Sequence, residues 1–369
     1  MITKRFFLFA LLALVALALS ACSASATNSN WPGLAADSNA AYLANGTQVI
    51  AVRLSDRADL WKYPQKADSK KVFYASPVIL PDGRLLIGSA GSDHCLYVLD
   101  PTKISADTKE PAATCIFSSD QDRWIASPLV VDNTVYAPNN DGNLYAVNLT
   151  SGELLWSLKI GSGGHLWSAP ITDGKTLFLS SLDHNVYAID IATHTIAWAA
   201  DLKGSVSGSP ALSADGKTLY VGSFNSKAFA LNTATGKIIW QADTKNWVWG
   251  TPAVQGSTVY FADLDGQIYA FDAQTGKQVW DVQPDGPITA NPLLMEDRIV
   301  VVSESGSVSA LGQDGKSAWA NTYSTTGKIY TTPVAAGDLV LVAPYGDKIT
   351  LIALDKDGKQ VWTYPPATQ

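Results

Sequence analysis

Histidine, cysteine and methionine are scarce in this sequence of 369 residues, with 4, 3 and 2 copies respectively. The cysteines form no Cys-x-x-Cys-His haem-attachment signature, and cysteine and histidine together show no zinc-ligand spacing. The histidines lie in different predicted turns, with no partner evident from their spacing: His94, His165, His184 and His194. We therefore predict no catalytic residues and no metal site from these residue types.

Basic charge is also low. Lysine and arginine number 26 against 33 acidic residues, for a formal net charge of −7, and removal of Lys4 and Arg5 with an N-terminal leader would take it to −9 (−7 minus 2). Phosphate binding needs a basic face. Nucleic acid is therefore not an expected partner.

A long apolar run occurs at the N-terminus, where residues 6–19 form an uninterrupted stretch of 14 after Lys4 and Arg5. It is shorter than a comfortable membrane span and is flanked like a signal peptide. It ends in Leu-Ser-Ala-Cys at residues 19–22, which is a lipobox pattern. We predict a lipoprotein signal peptide over residues 1–21, diacylglycerol attachment at Cys22, and a small, polar tether over residues 22–30. The alternative is an ordinary signal peptide followed by a chance cysteine.

The two remaining cysteines, Cys95 and Cys115, could form a disulfide in an exported chain. Our predicted strand register places them on one face of the same hairpin but about four residues apart, which is too far for a bridge. An insertion in that hairpin makes the register uncertain. Two half-buried free thiols and a disulfide both remain open.

Aromatic residues are plentiful, with 12 Trp and 14 Tyr, and they mark an internal repeat. Residues 143–156 and 267–280 share an apolar strand ending in Ala and Asp or Asn, a turn with glycine, and a strand ending in Trp. Steps between successive tryptophans from Trp156 onward are 42, 42, 40, 39 and 43 residues. The interval from Trp61 to Trp156 has room for one more unit, with residues 101–113 inserted and Phe117 near the tryptophan position. The repeat tryptophans are Trp61, Trp156, Trp198, Trp240, Trp280, Trp319 and Trp362.

A proline that follows a small or polar residue in most units gives the same register. These marker prolines are Pro32, Pro77, Pro128, Pro170, Pro210, Pro252, Pro292 and Pro333. Eight units of about 40 residues, each with room for four strands of four to seven residues, are typical of propeller blades. The sequence therefore predicts an all-β, eight-bladed β-propeller over residues 31–369. Its tryptophans and turn glycines would be structural, because a flat ring packs between blades where the turn has no side chain.

The repeat unit Ala-x-Asp/Asn-x-x-Thr-Gly-x-x-x-Trp resembles the tryptophan-docking repeat of the PQQ-type β-propellers. It is complete from Ala270 to Trp280 and from Ala230 to Trp240, whereas His194 replaces the glycine in the fourth unit. The resemblance covers nearly the whole mature chain. It is specific for the fold and carries little information about function.

Two groups within this likeness imply different functions. Quinoprotein alcohol and glucose dehydrogenases hold PQQ and Ca²⁺ in the channel and often have a vicinal cysteine pair, which this chain lacks. We can nominate no converging Glu, Asn and Asp for Ca²⁺. The lipoprotein BamB family of the outer-membrane β-barrel assembly machinery has a lipobox, this length and eight blades without a cofactor. The chain resembles that architecture, so we expect no cofactor.

Residues shortly before each marker proline would approach the channel axis. The candidate channel residues are Phe73, Tyr74, Arg123, Trp124, His165, Trp167, Trp247, Trp249, Lys328 and Tyr330, and the matching positions in other units are Ile125, Ser207 and Thr289. They indicate either a mouth that holds a flat or anionic ligand by stacking and charge, or a plug of aromatic rings. Residues 263–266 resemble the start of a Ca²⁺ loop, but a blade turn explains them better.

From these features we expect a non-enzymatic, membrane-anchored monomer that binds an envelope protein or peptide on its ring face. Its location would be the periplasmic side of the outer membrane, or the outer face of the cytoplasmic membrane in a cell with one membrane. A PQQ-dependent oxidoreductase and a small-ligand-binding envelope sensor are the alternatives. Adding PQQ and Ca²⁺ and testing for dye reduction distinguishes the enzyme.

Overall fold

The computed structural model describes residues 31–119 and 122–366, which form eight antiparallel sheets of four strands each. The predicted signal peptide, Cys22 and the tether lie outside the described residues. No helical segment with the length and hydropathy of a membrane span is found among the residues described. The all-β, eight-bladed propeller is confirmed.

Each sheet is one blade, made of four consecutive strands. Blades 1 to 4 consist of β1 (Gly33–Ala36), β2 (Ala40–Asn45), β3 (Gln48–Arg53), β4 (Asp59–Tyr63); β5 (Val78–Ile79), β6 (Leu85–Gly88), β7 (Cys95–Ile104), β8 (Pro111–Ser118); β9 (Leu129–Val131), β10 (Thr134–Pro138), β11 (Asn143–Asn148), β12 (Leu154–Lys159); and β13 (Ile171–Thr172), β14 (Thr176–Ser180), β15 (Asn185–Asp190), β16 (Thr195–Asp201). Blades 5 to 8 consist of β17 (Ala211–Leu212), β18 (Thr218–Ser223), β19 (Lys227–Asn232), β20 (Ile238–Asp243); β21 (Ala253–Gln255), β22 (Thr258–Ala262), β23 (Ile268–Asp272), β24 (Gln278–Val282); β25 (Leu293–Leu294), β26 (Arg298–Val302), β27 (Ser307–Gly312), β28 (Tyr323–Ser324); and β29 (Val334–Ala336), β30 (Leu339–Val342), β31 (Leu351–Leu354), β32 (Gln360–Tyr364). Strand lengths run from 2 to 10 residues, a wider range than expected, because several inner strands are only 2 residues long and β7 extends into the insertion.

The ring closes without strand exchange, because the first and last blades are each complete from their own stretch of chain. Leu34 and Val52 of blade 1 share an apolar cluster with Leu341 and Trp362 of blade 8. The hydroxyl of Thr331 donates to the carbonyl of Pro32 at 2.5 Å. Apolar packing and hydrogen bonds therefore join the two ends of the ring.

The core consists of eight apolar clusters, each between two neighbouring blades. In the cluster between blades 5 and 6, Tyr220 and Trp240 pack with Val259 and Phe271. Ala230 pairs with Trp240 across β19 and β20, and a register shift follows directly after it. A methyl at this position leaves room for the next blade, which accounts for the alanine of the repeat.

The repeat tryptophan docks on the turn between the third and fourth strands of the following blade. A Cβ at Gly276 would lie 2.5 Å from the Trp240 indole, and the Trp240 Nε1 donates to the Ala273 carbonyl at 2.9 Å. The same close approach joins Trp198 to Gly236, Trp280 to Gly315 and Trp319 to Gly358. In blade 4 the turn residue is His194, whose ring stacks on Trp156 at 4.8 Å, so an aromatic contact replaces the glycine contact.

Blade 2 departs from this pattern at its outer strand. Phe117 packs against Trp124 and Tyr145. A Cβ added at Gly152 would lie 2.2 Å from the backbone carbonyl oxygen of Ile116. The outer strand of blade 2 thus meets blade 3 through the Phe117 side chain and the Ile116 backbone.

Cys95 and Cys115 are bonded in the structure, with their Cα atoms 5.8 Å apart. Our expected offset of about four residues is wrong. Tyr97 pairs with Cys115, and a register shift between Leu96 and Tyr97 brings Cys115 diagonally opposite Cys95. An extra residue in one strand of a hairpin moves all later pairs. Six other blades have such a shift directly after the repeat alanine, whereas in blade 2 it falls two residues earlier relative to Val98, which occupies the alanine position.

Candidate binding site at the channel mouth

The segment before each marker proline alternates between core and channel, because successive residues of an extended chain point in opposite directions. The residue four positions before the proline is buried in every blade that the structure describes there: Phe73, Trp124, Leu166, Val206, Val248, Ile288 and Ile329. The expectation that Phe73 and Trp124 line the channel is wrong. Trp124 is 1% exposed and lies in the core between blades 2 and 3, where its Nε1 donates to the His94 carbonyl at 2.7 Å.

The residue three positions before the proline is the axial position. These residues are Tyr74, Ile125, Trp167, Ser207, Trp249, Thr289 and Tyr330 for blades 2 to 8. Five of them, Ile125, Trp167, Ser207, Trp249 and Thr289, line one cavity in the channel. Aromatic rings occupy blades 2, 4, 6 and 8, whereas Ile, Ser and Thr occupy the blades between them. Large and small side chains thus alternate around the axis, as close packing in a confined space requires.

The residue directly before the proline links neighbouring blades. Thr251 Oγ1 accepts from the Ser209 N–H at 3.0 Å, and the Thr251 N–H donates to Asn291 Oδ1 at 2.7 Å. The Asn291 N–H in turn donates to Thr332 Oγ1 at 3.2 Å. On the other side of the ring, Ser76 Oγ accepts from the Leu34 N–H at 3.2 Å. This belt of bonds explains why a small polar residue precedes most marker prolines.

Seven aromatic rings form a continuous group that we call the aromatic mouth: Trp31, Trp167, Phe224, Trp247, Trp249, Tyr330 and Tyr345. Phe224 lies between two indoles, with its ring centre 5.0 Å from Trp247 and 5.0 Å from Trp249. Trp249 is also 6.5 Å from Trp167. The group connects rings from blades 1, 4, 5, 6 and 8.

Trp31 joins the two sides of this group. Its ring centre is 6.0 Å from that of Trp249 in blade 6 and 6.2 Å from that of Tyr330 in blade 8. Since Trp31 itself enters blade 1, its side chain reaches across part of the channel opening. Trp31 and Trp247 remain 42% and 46% exposed, so the mouth presents aromatic surface to solvent.

Sequence reasoning missed Phe224, Tyr345 and Trp31. Phe224 and Tyr345 follow the second strand of their blades, and their backbone N–H groups donate to the Ser205 and Lys328 carbonyls. Phe224 and Tyr345 lie outside the segments before the marker prolines, whereas Trp31 lies directly before Pro32. The loop that follows the second strand of blades 2 to 8 is hydrogen-bonded to the segment before the proline, so its residues could have been considered as further candidates for the channel mouth.

The predicted cationic and ionisable residues, Arg123, His165 and Lys328, lie around the mouth without converging. Arg123 is exposed, with its Nε 3.9 Å from Asp122. His165 Nδ1 donates to the Asn140 carbonyl at 2.6 Å, and Asn140 Oδ1 accepts from Trp167 Nε1 at 2.9 Å. Lys328 Nζ lies 6.0 Å from the centre of the Tyr330 ring.

The carboxyl group of Glu304 is half-buried and lies close enough to Lys328 for their charges to interact. Burial raises the pKa of Glu304, and the positive charge of Lys328 acts in the opposite direction. Its backbone N–H donates to the Pro287 carbonyl. The surroundings of the aromatic mouth therefore include charges of both signs, Lys328 and Glu304 among them.

The channel cavity has a volume of about 250 Å³ and is lined by uncharged residues of blades 3 to 7: Ile125, Ala126, Ser127, Trp167, Ala169, Ser207, Gly208, Ser209, Trp249, Gly250, Thr251, Thr289 and Asn291. Pockets for drug-sized ligands are roughly 300–1,000 Å³. The cavity is therefore smaller than a typical site of that kind. The Thr289 hydroxyl is buried without a hydrogen-bond partner among the described residues.

The residues of this channel do not fit a Ca²⁺–quinone pair. Ca²⁺ takes 6–8 oxygen ligands with carboxylates among them, and no carboxylate lines the cavity. In the part of the chain that the structure describes, no three His, Cys, Asp or Glu side chains form a metal-binding group. Asp263, at the start of the Ca²⁺-like segment, is buried and already accepts from the Asp265 and Gln267 N–H groups and the Tyr269 hydroxyl, as a blade turn requires.

The family described as outer membrane protein assembly factor BamB matches residues 33–215, 182–291 and 285–369. The crystal structure of BamB from Moraxella catarrhalis is similar, with a TM-score of 0.68 and 18% identity, over 84% of this chain and 92% of that one. The computationally designed Ika8 protein has a TM-score of 0.71 and 12% identity, over 89% of this chain and 98% of its own. At these identities the two structures show the fold alone. No curated protein matches the sequence.

Proposed function

The chain belongs to the family of the outer membrane protein assembly factor BamB, and on that premise we propose that it is an exported, lipid-anchored, non-enzymatic scaffold with a role in outer-membrane β-barrel assembly. Its partner is an envelope protein or peptide that docks on the aromatic mouth. The lipobox at residues 19–22 supports the anchor.

The aromatic mouth is the observation that carries this proposal. Buried aromatic anchors dominate the binding energy of protein interfaces, and exposed aromatic groups on a soluble surface mark interaction sites. Here Trp31 and Trp247 expose 42% and 46% of their surface on a rigid ring, while the cavity beneath contains no charged group for chemistry. A rigid platform binds without losing much conformational entropy.

The first test is the anchor. Cys22→Ala should move the protein from the membrane fraction to the soluble fraction with an unchanged melting temperature, because residue 22 precedes the blades. A palmitate analogue should label the wild type alone. A soluble and unlabelled wild type would contradict the lipid anchor.

The second test is rescue of a strain that lacks this gene. We expect deletion to lower the abundance of outer-membrane β-barrel proteins and the wild-type gene to restore it. A mouth variant, Trp31→Ala with Trp247→Ala, should fail to restore it. A rim variant, Ile239→Ala with Val279→Ala, removes residues that are 49% and 60% exposed on outer strands and should restore it.

Melting curves of both variants establish that each is folded. Rescue by the mouth variant would contradict docking on the mouth. A source cell without an outer membrane would contradict the barrel-assembly role and place the scaffold on the outer face of the cytoplasmic membrane.

A further inference from the structure

The indole of Trp247 is a stacking platform with one side occupied. Phe224 lies parallel to it, with ring centres 5.0 Å apart and planes 9° apart. Phe224 is supported from behind by Trp249, also at 5.0 Å. The cation–π contacts among the described residues involve Lys71 and Lys328 on tyrosines, so no protein cation in that part of the chain lies over Trp247.

A carboxylate is fixed beside this platform through Asn246. The Asn246 Nδ2 donates to Asp265 Oδ1 at 2.7 Å, and Asn246 Oδ1 accepts from the Trp247 N–H at 2.7 Å. The Leu264 N–H donates to the Trp247 carbonyl at 3.0 Å, which places Asp265 next to the same backbone. Asp265 is exposed and takes part in no ion pair among the residues described.

We propose that Trp247 and Asp265 together bind an arginine side chain of the docked partner. This inference rests on the proposed function, because it assigns the chemistry of the partner at the mouth. A guanidinium is planar and stacks on an indole, and its N–H groups donate to a carboxylate in the same plane. The ammonium of lysine cannot do both with the same geometry. Arginine is therefore the side chain that uses both groups.

Nearby charge is compatible with this assignment. Lys245 is the closest cation along the chain, and its Nζ donates to Oε1 of Gln267, the residue directly before β23, at 2.7 Å. The formal net charge of the chain is −7 with the leader and −9 without Lys4 and Arg5. An acidic protein attracts a basic segment before contact.

The test uses the purified, lipid-anchored full-length mature protein in detergent, labelled with 5-fluorotryptophan. The probe is the peptide acetyl-Gly-Arg-Gly-Arg-Gly-amide, with lysine and glutamate versions as comparisons. Fluorine NMR should show a shift of the Trp247 resonance, identified by its absence in Trp247→Leu, and no shift of the docking residue Trp240. Calorimetry should give an affinity for the lysine peptide about tenfold weaker, which corresponds to about 1.4 kcal/mol.

Substitutions then separate the two contacts. Asp265→Asn should weaken binding of the arginine peptide about tenfold, within the range of a lost charge-assisted hydrogen bond. Trp247→Leu, which keeps apolar area without a π face, should weaken it by a similar factor. Asp243→Asn, at an exposed carboxylate paired with Lys227, is the matched control and should leave the affinity unchanged.

The outcomes distinguish this inference from the scaffold function. Equal binding of arginine and lysine peptides, or wild-type affinity in Asp265→Asn, overturns the arginine site even if the gene rescues the deletion strain. Trp247→Leu and Asp265→Asn could both lose arginine binding while the wild-type gene rescues no deletion phenotype. That combination would support the arginine site and contradict the scaffold role. Equal affinity for the glutamate and arginine peptides also overturns the arginine site.

Discussion

The indole of Trp240 in blade 5 lies against Gly276 in blade 6 so closely that a Cβ at Gly276 would come within 2.5 Å of the ring. The Gly276 backbone has a φ of 71°, in the left-handed region that other residues adopt at a cost. One contact thus requires both the tryptophan and the glycine of the repeat. The same contact joins blades 4 and 5, 6 and 7, and 7 and 8.

Trp240→Ala should lower the free energy of unfolding by about 3–5 kcal/mol, the usual cost of emptying a buried site of this size. The substitution also removes one of the two donors to the Ala273 carbonyl, which keeps the bond from the Tyr220 hydroxyl. Chemical denaturation measures the change. His194→Gly is the comparison, because relief of a φ of 57° offsets the lost stack on Trp156, and its effect should stay within about 1 kcal/mol. A Trp240 variant as stable as the wild type would show that docking does not hold the blades together.

Thr251→Val should destabilise the ring by about 1–2 kcal/mol, because it leaves the Ser209 N–H without an acceptor near the channel. Thr289→Val is a matched control, since the Thr289 hydroxyl has no partner among the described residues. It should change stability by less than about 0.5 kcal/mol. Equal effects in the two variants would contradict the belt of bonds between blades.

The unfolding free energy should fall as the pH rises from about 10 to 12. Burial, together with a hydrogen bond to Asp59, raises the pKa of Tyr364 to about 12, against about 10 in an unfolded chain. The unfolded state therefore loses its proton first, so the stabilisation is complete below pH 10 and is lost as the pH approaches 12. Burial and an aspartate acceptor raise the pKa of other tyrosines in the same direction: Tyr42, Tyr97, Tyr145, Tyr187 and Tyr269.

Tyr364→Phe separates the contribution of the Tyr364 hydroxyl to the pH dependence from that of the other buried tyrosines. At neutral pH it should cost about 1 kcal/mol for the bond to Asp59 that helps close the ring. Its loss of stability between pH 10 and 12 should be shallower than that of the wild type. Denaturation curves at a series of pH values measure both effects, and identical pH profiles would contradict the assignment.

PQQ with added Ca²⁺ should give no oxidation of alcohols or sugars. The cavity is lined by hydroxyl, amide and indole groups, which supply neither the carboxylates for Ca²⁺ nor a general base. Dye reduction measures the oxidation, and calorimetry measures the binding of PQQ. Weak PQQ binding that does not depend on Ca²⁺ is compatible with stacking on Trp167 or Trp249. Tight binding that requires Ca²⁺ would contradict the non-enzymatic assignment.

The repeat allowed the fold to be predicted because tryptophan, alanine and proline recur at fixed distances in nearly every blade. The direction of single side chains was harder to predict. Trp124 and Trp167 both precede a marker proline, but they are four and three residues from it, and this one-residue difference places the first in the core and the second on the axis. Counting back from the proline would have separated them.

Two other features depend on contacts that a repeat does not encode. The pairing of Cys95 with Cys115 needs a register shift found in blade 2 and absent from the corresponding place in other blades. The mouth needs Phe224 and Tyr345, which come from loops after second strands, and Trp31, which breaks the small-residue rule before its proline. Rings brought together from five blades have no common spacing in the sequence.

Photo-cross-linking in living cells tests the central claim, that a partner polypeptide docks on the aromatic mouth. p-Benzoylphenylalanine would replace Trp31, Trp247 or Lys328 at the mouth, and Ile239 or Val279 on the outer strands. The account predicts that the mouth positions form a cross-link to the same envelope protein, identified by mass spectrometry as a component of outer-membrane barrel assembly, and that the outer positions do not. Cross-links to that protein from Ile239 and Val279, with none from Trp31 and Trp247, would contradict it.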